Sequence, residues 1–220
     1  MSIASDAIKD NKKVLLLALG LLVVSVFGLI LTKEGMIVTT DDLAQNPTSK
    51  TYSKPEDVLE QGVDYRVVLK TSVGDIELDL YESEAPQTVN SFLFLASERF
   101  FDNVIFHRVV PNFVIQGGDP TGTGMGGPGY KIVDEITDRK YEAYTLGMAN
   151  SGPNTNGSQF FITSGAIQEA NLEALDGGYT IFGKVTKGFA VVDSIERVET
   201  DGNDKPVNPL VIESVQIIEG

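Results

Sequence analysis

Two stretches of this 220-residue chain carry side chains that a plain apolar core does not need. In residues 106–119, FHRVVPNFVIQGGD, an arginine sits inside a β-branched and aromatic run, with Phe113 and Gln116 close behind it. In residues 146–163, LGMANSGPNTNGSQFFIT, a loop of Gly, Pro and Asn residues joins two apolar segments, and Gln159 runs into Phe160 and Phe161. In a strand one of two adjacent aromatics faces the core and the other faces away. An outward phenylalanine beside glutamine and asparagine suits a half-apolar groove that grips an apolar group and hydrogen-bonds a peptide backbone. Taken singly, each stretch has a plainer reading: a solvent-facing arginine, and a polar hairpin loop over an ordinary barrel.

Other chemistries are excluded or weakened by what the chain lacks, with a hydrolase a remote reading and paired acids open only in principle. With no cysteine there is no disulfide, thiol nucleophile or zinc-thiolate site, and with one histidine, His107, there is no histidine-rich metal site. Residues 122–127, GTGMGG, fit G-x-G-x-x-G, but Pro128-Gly129 follows where a phosphate-binding turn needs a helix, so the motif reads as a flexible loop. No G-x-S-x-G elbow is present, and Asp119, Asp134 and Glu135 show no spacing beyond that of an acidic surface. The net charge of -14 opposes a nucleic-acid or anionic-lipid surface.

The elements that must hold the two stretches follow from periodicity. Residues 65–71 and 75–81 alternate apolar and polar around Ser72-Val73-Gly74, the pattern of a hairpin with one buried face. Glu84-Ala85-Pro86 opens a helix to about residue 99, with Val89, Phe92, Leu93 and Ala96 at helical spacing. Strands are expected near 144–149, 159–163, 180–185 and 210–218, and a second helix over 189–198 turns Val192, Ile195 and Val198 inward. Alternation within the first stretch puts Phe106, Arg108 and Val110 on one face and His107 and Val109 on the other, up to a break at Val110-Pro111-Asn112. Many short antiparallel strands with two helices predict a mainly β, closed barrel capped by those helices.

Before the domain the composition changes twice. Residues 14–31, VLLLALGLLVVSVFGLIL, are uncharged and apolar over the length that crosses a bilayer as a helix. Lys9, Lys12 and Lys13 precede this segment, which predicts a signal-anchor with residues 1–13 in the cytoplasm and the rest of the chain outside. Residues 32–62 are polar and aperiodic and read as a linker, with one helical turn expected at 55–60, and the folded domain is expected over 63–220.

Together the two stretches, with LDGGYTIFGKV at 175–185, resemble the cyclophilin family of peptidyl-prolyl cis-trans isomerases, in the manner of a membrane-anchored, bacterial-like member. The resemblance implies an eight-stranded antiparallel barrel with two capping helices that accelerates rotation of Xaa-Pro bonds without cofactor or metal. It implies proline-containing polypeptides as partners, a monomer, and assistance to protein folding outside the cytoplasmic membrane. Carried over residue by residue, the catalytic arginine is Arg108, and the proline pocket is Phe113, Phe161 and Leu175, with Val114 where the family often has methionine. The polar groups aligning the peptide are Gln116, Asn150 and Gln159, Ala149 lines the groove, and His107 stands where the family has a histidine. Ala174 replaces a common tryptophan and Tyr179 a common histidine, so tight cyclosporin binding is not implied. A proline-peptide binding or chaperone module with little turnover is the alternative.

Overall fold

The computed structural model describes residues 30–31, 37–38 and 50–220. The chain divides into two units, Met1–Asn46 and Pro47–Gly220. In the first, strand β1 (Ile30–Leu31) pairs antiparallel with β2 (Ile37–Val38). Residues 14–29 of the expected span lie outside the described residues, and its last two residues are extended rather than helical. Among the described residues no helix is long and apolar enough to cross a membrane.

The second unit is built on one antiparallel sheet. Strand β3 (Tyr65–Thr71) turns back into β4 (Gly74–Leu80), with Thr71 opposite Gly74. The expected alternation holds here: Val67, Leu69, Ile76 and Leu78 are fully buried. After helix α1 (Pro86–Ser97) come β5 (Val104–Ile105), β6 (Arg108–Val110), β7 (Val114–Gly117), β8 (Thr145–Met148) and β9 (Phe160–Thr163). Helix α2 (Glu169–Leu175), strand β10 (Ile181–Lys187), helix α3 (Phe189–Ile195) and strand β11 (Val211–Glu219) complete the unit.

The strand order is β5-β11-β3-β4-β10-β8-β9-β7-β6. Its two end strands are consecutive in the chain, separated only by Phe106 and His107. No ladder pairs β5 with β6, so this antiparallel half-barrel is joined edge to edge by the covalent chain. That corrects the expected closed eight-stranded barrel: the strand expected to run through Arg108 is broken at residues 106–107 into β5 and β6. Around the break, the Phe106 N–H donates to the Leu210 carbonyl (2.9 Å) and the Val109 N–H to the Asp204 carbonyl (2.7 Å). The break also resets the alternation: Phe106 and Val109 both enter the core, whereas Phe106 and Arg108 had been expected to share a face.

Among the described residues three helices are present where two were expected to cap the domain. The additional one, α2, is a single short segment with only Leu175 buried, too brief to give a periodic signal. Helix α1 starts at Pro86, and its first free N–H groups are satisfied from a distance. The Glu135 carboxylate accepts from the Gln87 N–H (3.0 Å), the Thr88 N–H (2.8 Å) and the Thr88 hydroxyl (2.7 Å). Glu135 therefore caps a helix rather than decorating an acidic surface. On its inner side α1 sets Phe92 within 4.9–5.6 Å, centroid to centroid, of Phe101, Phe160 and Phe182, which form the centre of the core.

The outer side of α1 is covered by residues 50–63, where the sequence read as a linker. Tyr52 packs edge-on against Phe94 (5.0 Å between centroids), and Val58, Leu59 and Val63 pack against the main core. The helical turn expected at 55–60 is absent because its N–H groups have better partners. Those of Val58 and Leu59 donate to the Asn90 side-chain oxygen (2.8 and 3.0 Å), and the Asn90 amide donates to the Glu56 carbonyl (2.9 Å). Replacing a buried carboxamide that serves two donors and one acceptor leaves them unpaired, at about 1–3 kcal/mol each where water cannot reach. Asn90→Ala is expected to destabilise the domain by about 2–4 kcal/mol in urea unfolding, and a chain beginning at Gly62 to lose at least as much. Unchanged midpoints in both would show that residues 50–63 lie on the domain without supporting it.

Candidate active site

Residues laterally opposed in antiparallel strands project from the same face of a sheet. Arg108 is opposite Gln116, Gln116 opposite Phe161, Phe161 opposite Gly147, and Gly147 opposite Ile181. One row across β6, β7, β9, β8 and β10 thus carries the arginine, a carboxamide and an aromatic ring on a common face. The adjacent row, Val109, Ile115, Ile162 and Leu146, points the other way and is fully buried. Phe160 goes to the core and Phe161 to the outer face, as the paired aromatics required.

That outer face has an apolar cluster of its own. Val114, Tyr141, Phe161, Leu175 and Ile181 are its buried members, and Phe113, Ala149, Tyr179, Tyr81, Ile167 and Leu172 pack against them. Phe161 stacks on Tyr141 (5.7 Å, 21°) and meets Tyr179 edge-on (5.8 Å, 86°). Phe113 follows Asn112, whose positive φ of 57° turns β6 into β7. The Ser164 N–H donates to the Phe113 carbonyl (2.8 Å). Gly147 permits this floor: a Cβ there would collide with the Tyr141 hydroxyl and come within 2.8 Å of Phe161 Cζ. Tyr141, Ile181 and Gly147 were missed from sequence, because Tyr141 lies in an aperiodic loop and the other two gain meaning only from register.

The polar groups form a chain beside the arginine. Gln116 Nε2 donates to Gln159 Oε1 (3.0 Å), and Gln159 Nε2 donates to the carbonyls of Gly124 (3.0 Å) and Gly126 (2.9 Å). Asn150 Nδ2 donates to the Gly178 carbonyl (3.1 Å), and its oxygen accepts from the Gly152 N–H (3.2 Å). The Ala149 N–H donates to the Gln159 carbonyl (2.9 Å). All eleven residues proposed from sequence thus fall on the outer face of β6–β7–β9 or on the loops and helix beside it. Arg108 is partly exposed, with Asp204 Oδ2 3.5 Å from its Nε. Asp204 comes from the loop before β11, nearly a hundred residues away, which no spacing argument could reach.

The glycine motif is a tied loop, not a flexible one. Asp119, fully buried, accepts from the N–H groups of Thr121 (2.7 Å), Thr123 (3.0 Å) and Gly124 (2.6 Å) and from the Thr121 hydroxyl (2.8 Å). Burial disfavours its charge, but these hydrogen bonds prevail and hold its carboxyl below the usual carboxylate range. Asp119 was set aside from sequence as a surface acid. Among the described residues no cluster of His, Cys, Asp or Glu is arranged to hold a metal ion.

His107 is buried at the break between β5 and β6, and neither ring nitrogen makes a hydrogen bond of good geometry, although the Gln159 side chain faces it. Burial lowers its pKa; the Asp119 carboxylate and Gln159 oppose this, while Lys205 and Arg108 reinforce it. Because the folded pKa is below the unfolded one, the unfolded chain binds more protons as pH falls. Stability is therefore expected to be complete above about pH 6.5 and to decline below it, ahead of the carboxylates. In unfolding titrations from pH 7.5 to 5, His107→Gln is expected to flatten this decline. An identical slope in the variant would show that His107 is not its source.

Comparison with known proteins places these features in context. Residues 66–217 match the family described as cyclophilin type peptidyl-prolyl cis-trans isomerase/CLD. A "Peptidyl-prolyl cis-trans isomerase-like 1" of Aspergillus oryzae is 48% identical over 158 residues, covering 70% of this chain and 95% of that protein. An isomerase of Schizosaccharomyces pombe is 50% identical over 151 residues, covering 66% of this chain and 94% of its own. A crystal structure of a Cryptosporidium parvum cyclophilin type isomerase superposes with a TM-score of 0.66 at 39% identity, covering 70% of this chain and 98% of that one. With a match over most of its length and relatives near half identical, the chain belongs to the cyclophilin-type peptidyl-prolyl cis-trans isomerases.

Proposed function

We propose that Arg108 is the catalytic group of this isomerase and that the outer face of β6–β7–β9 is its peptide groove. The observation that carries this reading is the register: Arg108, Gln116 and Phe161 lie in one row, above an apolar cluster able to take a proline ring. Amide resonance resists rotation of an Xaa-Pro bond by ~18–20 kcal/mol, and no bond is broken when it turns. In the twisted form the prolyl nitrogen loses conjugation and becomes a hydrogen-bond acceptor. A guanidinium over that nitrogen binds the twisted state better than either planar state, which lowers the barrier. Each factor of ten requires about 1.4 kcal/mol, so one charge-assisted hydrogen bond supplies a large share of the effect and not all of it. The remainder comes from holding the ring on Phe113, Phe161 and Leu175 while Gln116 and Asn150 fix the flanking backbone, so that only one side of the bond turns.

In this reading Arg108→Ala lowers kcat by about 10²-fold with a much smaller change in peptide affinity, because the lost contact belongs to the transition state. Phe113→Ala weakens binding and turnover together, since the ring is gripped throughout. Isomerisation of an Ala-Pro peptide, with binding measured separately, tests both. Binding without rate enhancement by the unaltered protein would favour a proline-peptide binder or chaperone over an enzyme.

The site of action we propose is the outer side of a cell membrane, with residues 14–31 as a single signal-anchor and the monomeric isomerase domain assisting exported proteins as they fold. The support is the uncharged length of that segment and the three lysines before it. Protease added to cells stripped of any outer barrier is expected to remove the domain while leaving residues 1–13 protected. A protected domain would reverse the topology.

A further inference from the structure

The region matched to the family begins at residue 66, yet residues 50–63 are bound to the same unit as the groove. This segment, here called the strap, reaches the groove through one loop. The Tyr52 N–H donates to the Pro128 carbonyl (2.7 Å), and Gly129, at φ 93°, passes so close that a Cβ there would lie 2.8 Å from the Tyr52 carbonyl oxygen. The strap itself is anchored on α1: Lys50 Nζ donates to the Glu98 carbonyl (2.8 Å) and the Tyr52 hydroxyl to Glu98 Oε2 (3.1 Å). The Tyr52 ring packs on Phe94 and Phe100.

The loop so gripped is the one that seats Gln159. Its Asp119 end is fixed by the buried carboxylate, and at its other end the Tyr130 hydroxyl pairs with Ser91 Oγ (2.8 Å). Between these lie the Gly124 and Gly126 carbonyls that orient the Gln159 amide, and Gln159 in turn orients Gln116 beside Arg108. Next to these carboxamides is a cavity of about 680 Å³, and its lining includes Thr51 of the strap together with Met125, Ala149, Asn150 and Gln159.

We infer that the strap is a working part of the peptide groove. Tyr52 is a positioning residue that fixes loop 124–130, and through it the Gln159–Gln116 pair, while Thr51 adds a wall for the residues flanking the proline. The inference rests on the isomerase reading above and concerns binding of the flanking peptide rather than rotation of the bond.

The test uses the full chain and two proline peptides, one barely longer than Ala-Pro and one with three or more residues on each side. Tyr52→Ala keeps the backbone N–H but removes the ring that seats it on Phe94 and Phe100, and is expected to raise KM for the long peptide by about fivefold through lost preorganisation of the loop, with kcat retained. It should also shift the Gln159 side-chain amide signals in the NMR spectrum. Tyr52→Phe, which keeps the ring packing and the backbone bond to Pro128, should restore both. Thr51→Trp, at an exposed position, should raise KM for the long peptide and not for the short one. An unaltered protein without turnover would defeat the isomerase reading itself. With that turnover intact, unshifted Gln159 signals and unchanged KM in Tyr52→Ala, or equal KM effects of Thr51→Trp on both peptides, would overturn the role of the strap. If Tyr52→Ala does not fold, the Thr51→Trp comparison decides alone.

Discussion

A pleated strand sends successive side chains to opposite faces, and around Arg108 this molecule uses both faces as apolar surfaces. Val109, Ile115, Ile162 and Leu146 fill the interior, while Val114 and Phe161, one residue out of phase, floor the groove with Tyr141, Leu175 and Ile181. A slip of one residue in any of β6, β7 or β9 would send core residues outward and groove residues inward, so the register of the core is also the register of the site. The rigidity of the groove follows from this sharing. Its floor cannot shift without disturbing fully buried neighbours on the same backbone.

The polar side of the groove is held by satisfied groups rather than by charges in contact. Each carboxamide is oriented by a carbonyl or another carboxamide, and the glycine loop beneath them is organised by one buried carboxylate, Asp119. Arg108 brings the site its positive charge, and it stays partly exposed with a single acidic neighbour at 3.5 Å. Exposed pairs of this kind contribute little to stability, so in the proposed reading the guanidinium exchanges that neighbour for a substrate at small cost. A bond rotation requires no proton transfer, which is consistent with a histidine beside the arginine whose burial lowers its pKa.

Residues 50–63 join the two halves of this arrangement. The outer side of α1 bears Phe94 and Asn90, and both are buried because the strap covers them. The same strap, one residue from its contact with Phe94, lines the cavity beside Gln159. Packing that stabilises a helix on one side of the strap is therefore linked to the loop that seats Gln159 on the other, and the linkage lies in a segment outside the family match.

How much of this was legible in the sequence depended on the range of the interaction involved. Period-two and helical patterns reported the β3–β4 hairpin, α1, α3 and the split between Phe160 and Phe161, because alternation is a local property of the backbone. The resemblance of three separated segments marked the arginine and its companions, since residue types in a fixed order survive without knowledge of contacts. Contacts between distant segments left no such mark. Glu135 as the cap of α1, Asp119 as the post of the glycine loop, Asp204 beside Arg108 and Asn90 as the clasp of the strap are all polar residues in aperiodic surroundings. The break at His107, the extra helix α2 and the docking of residues 50–63 were likewise decided in three dimensions. The sequence by itself determined which residues of the longer strands and helices face inward and which family they serve, whereas only the tertiary structure decided the facing around the break at residues 106–107 and what each isolated polar group binds, because a hydrogen bond between remote segments depends on where the fold carries both partners and not on either one's neighbours.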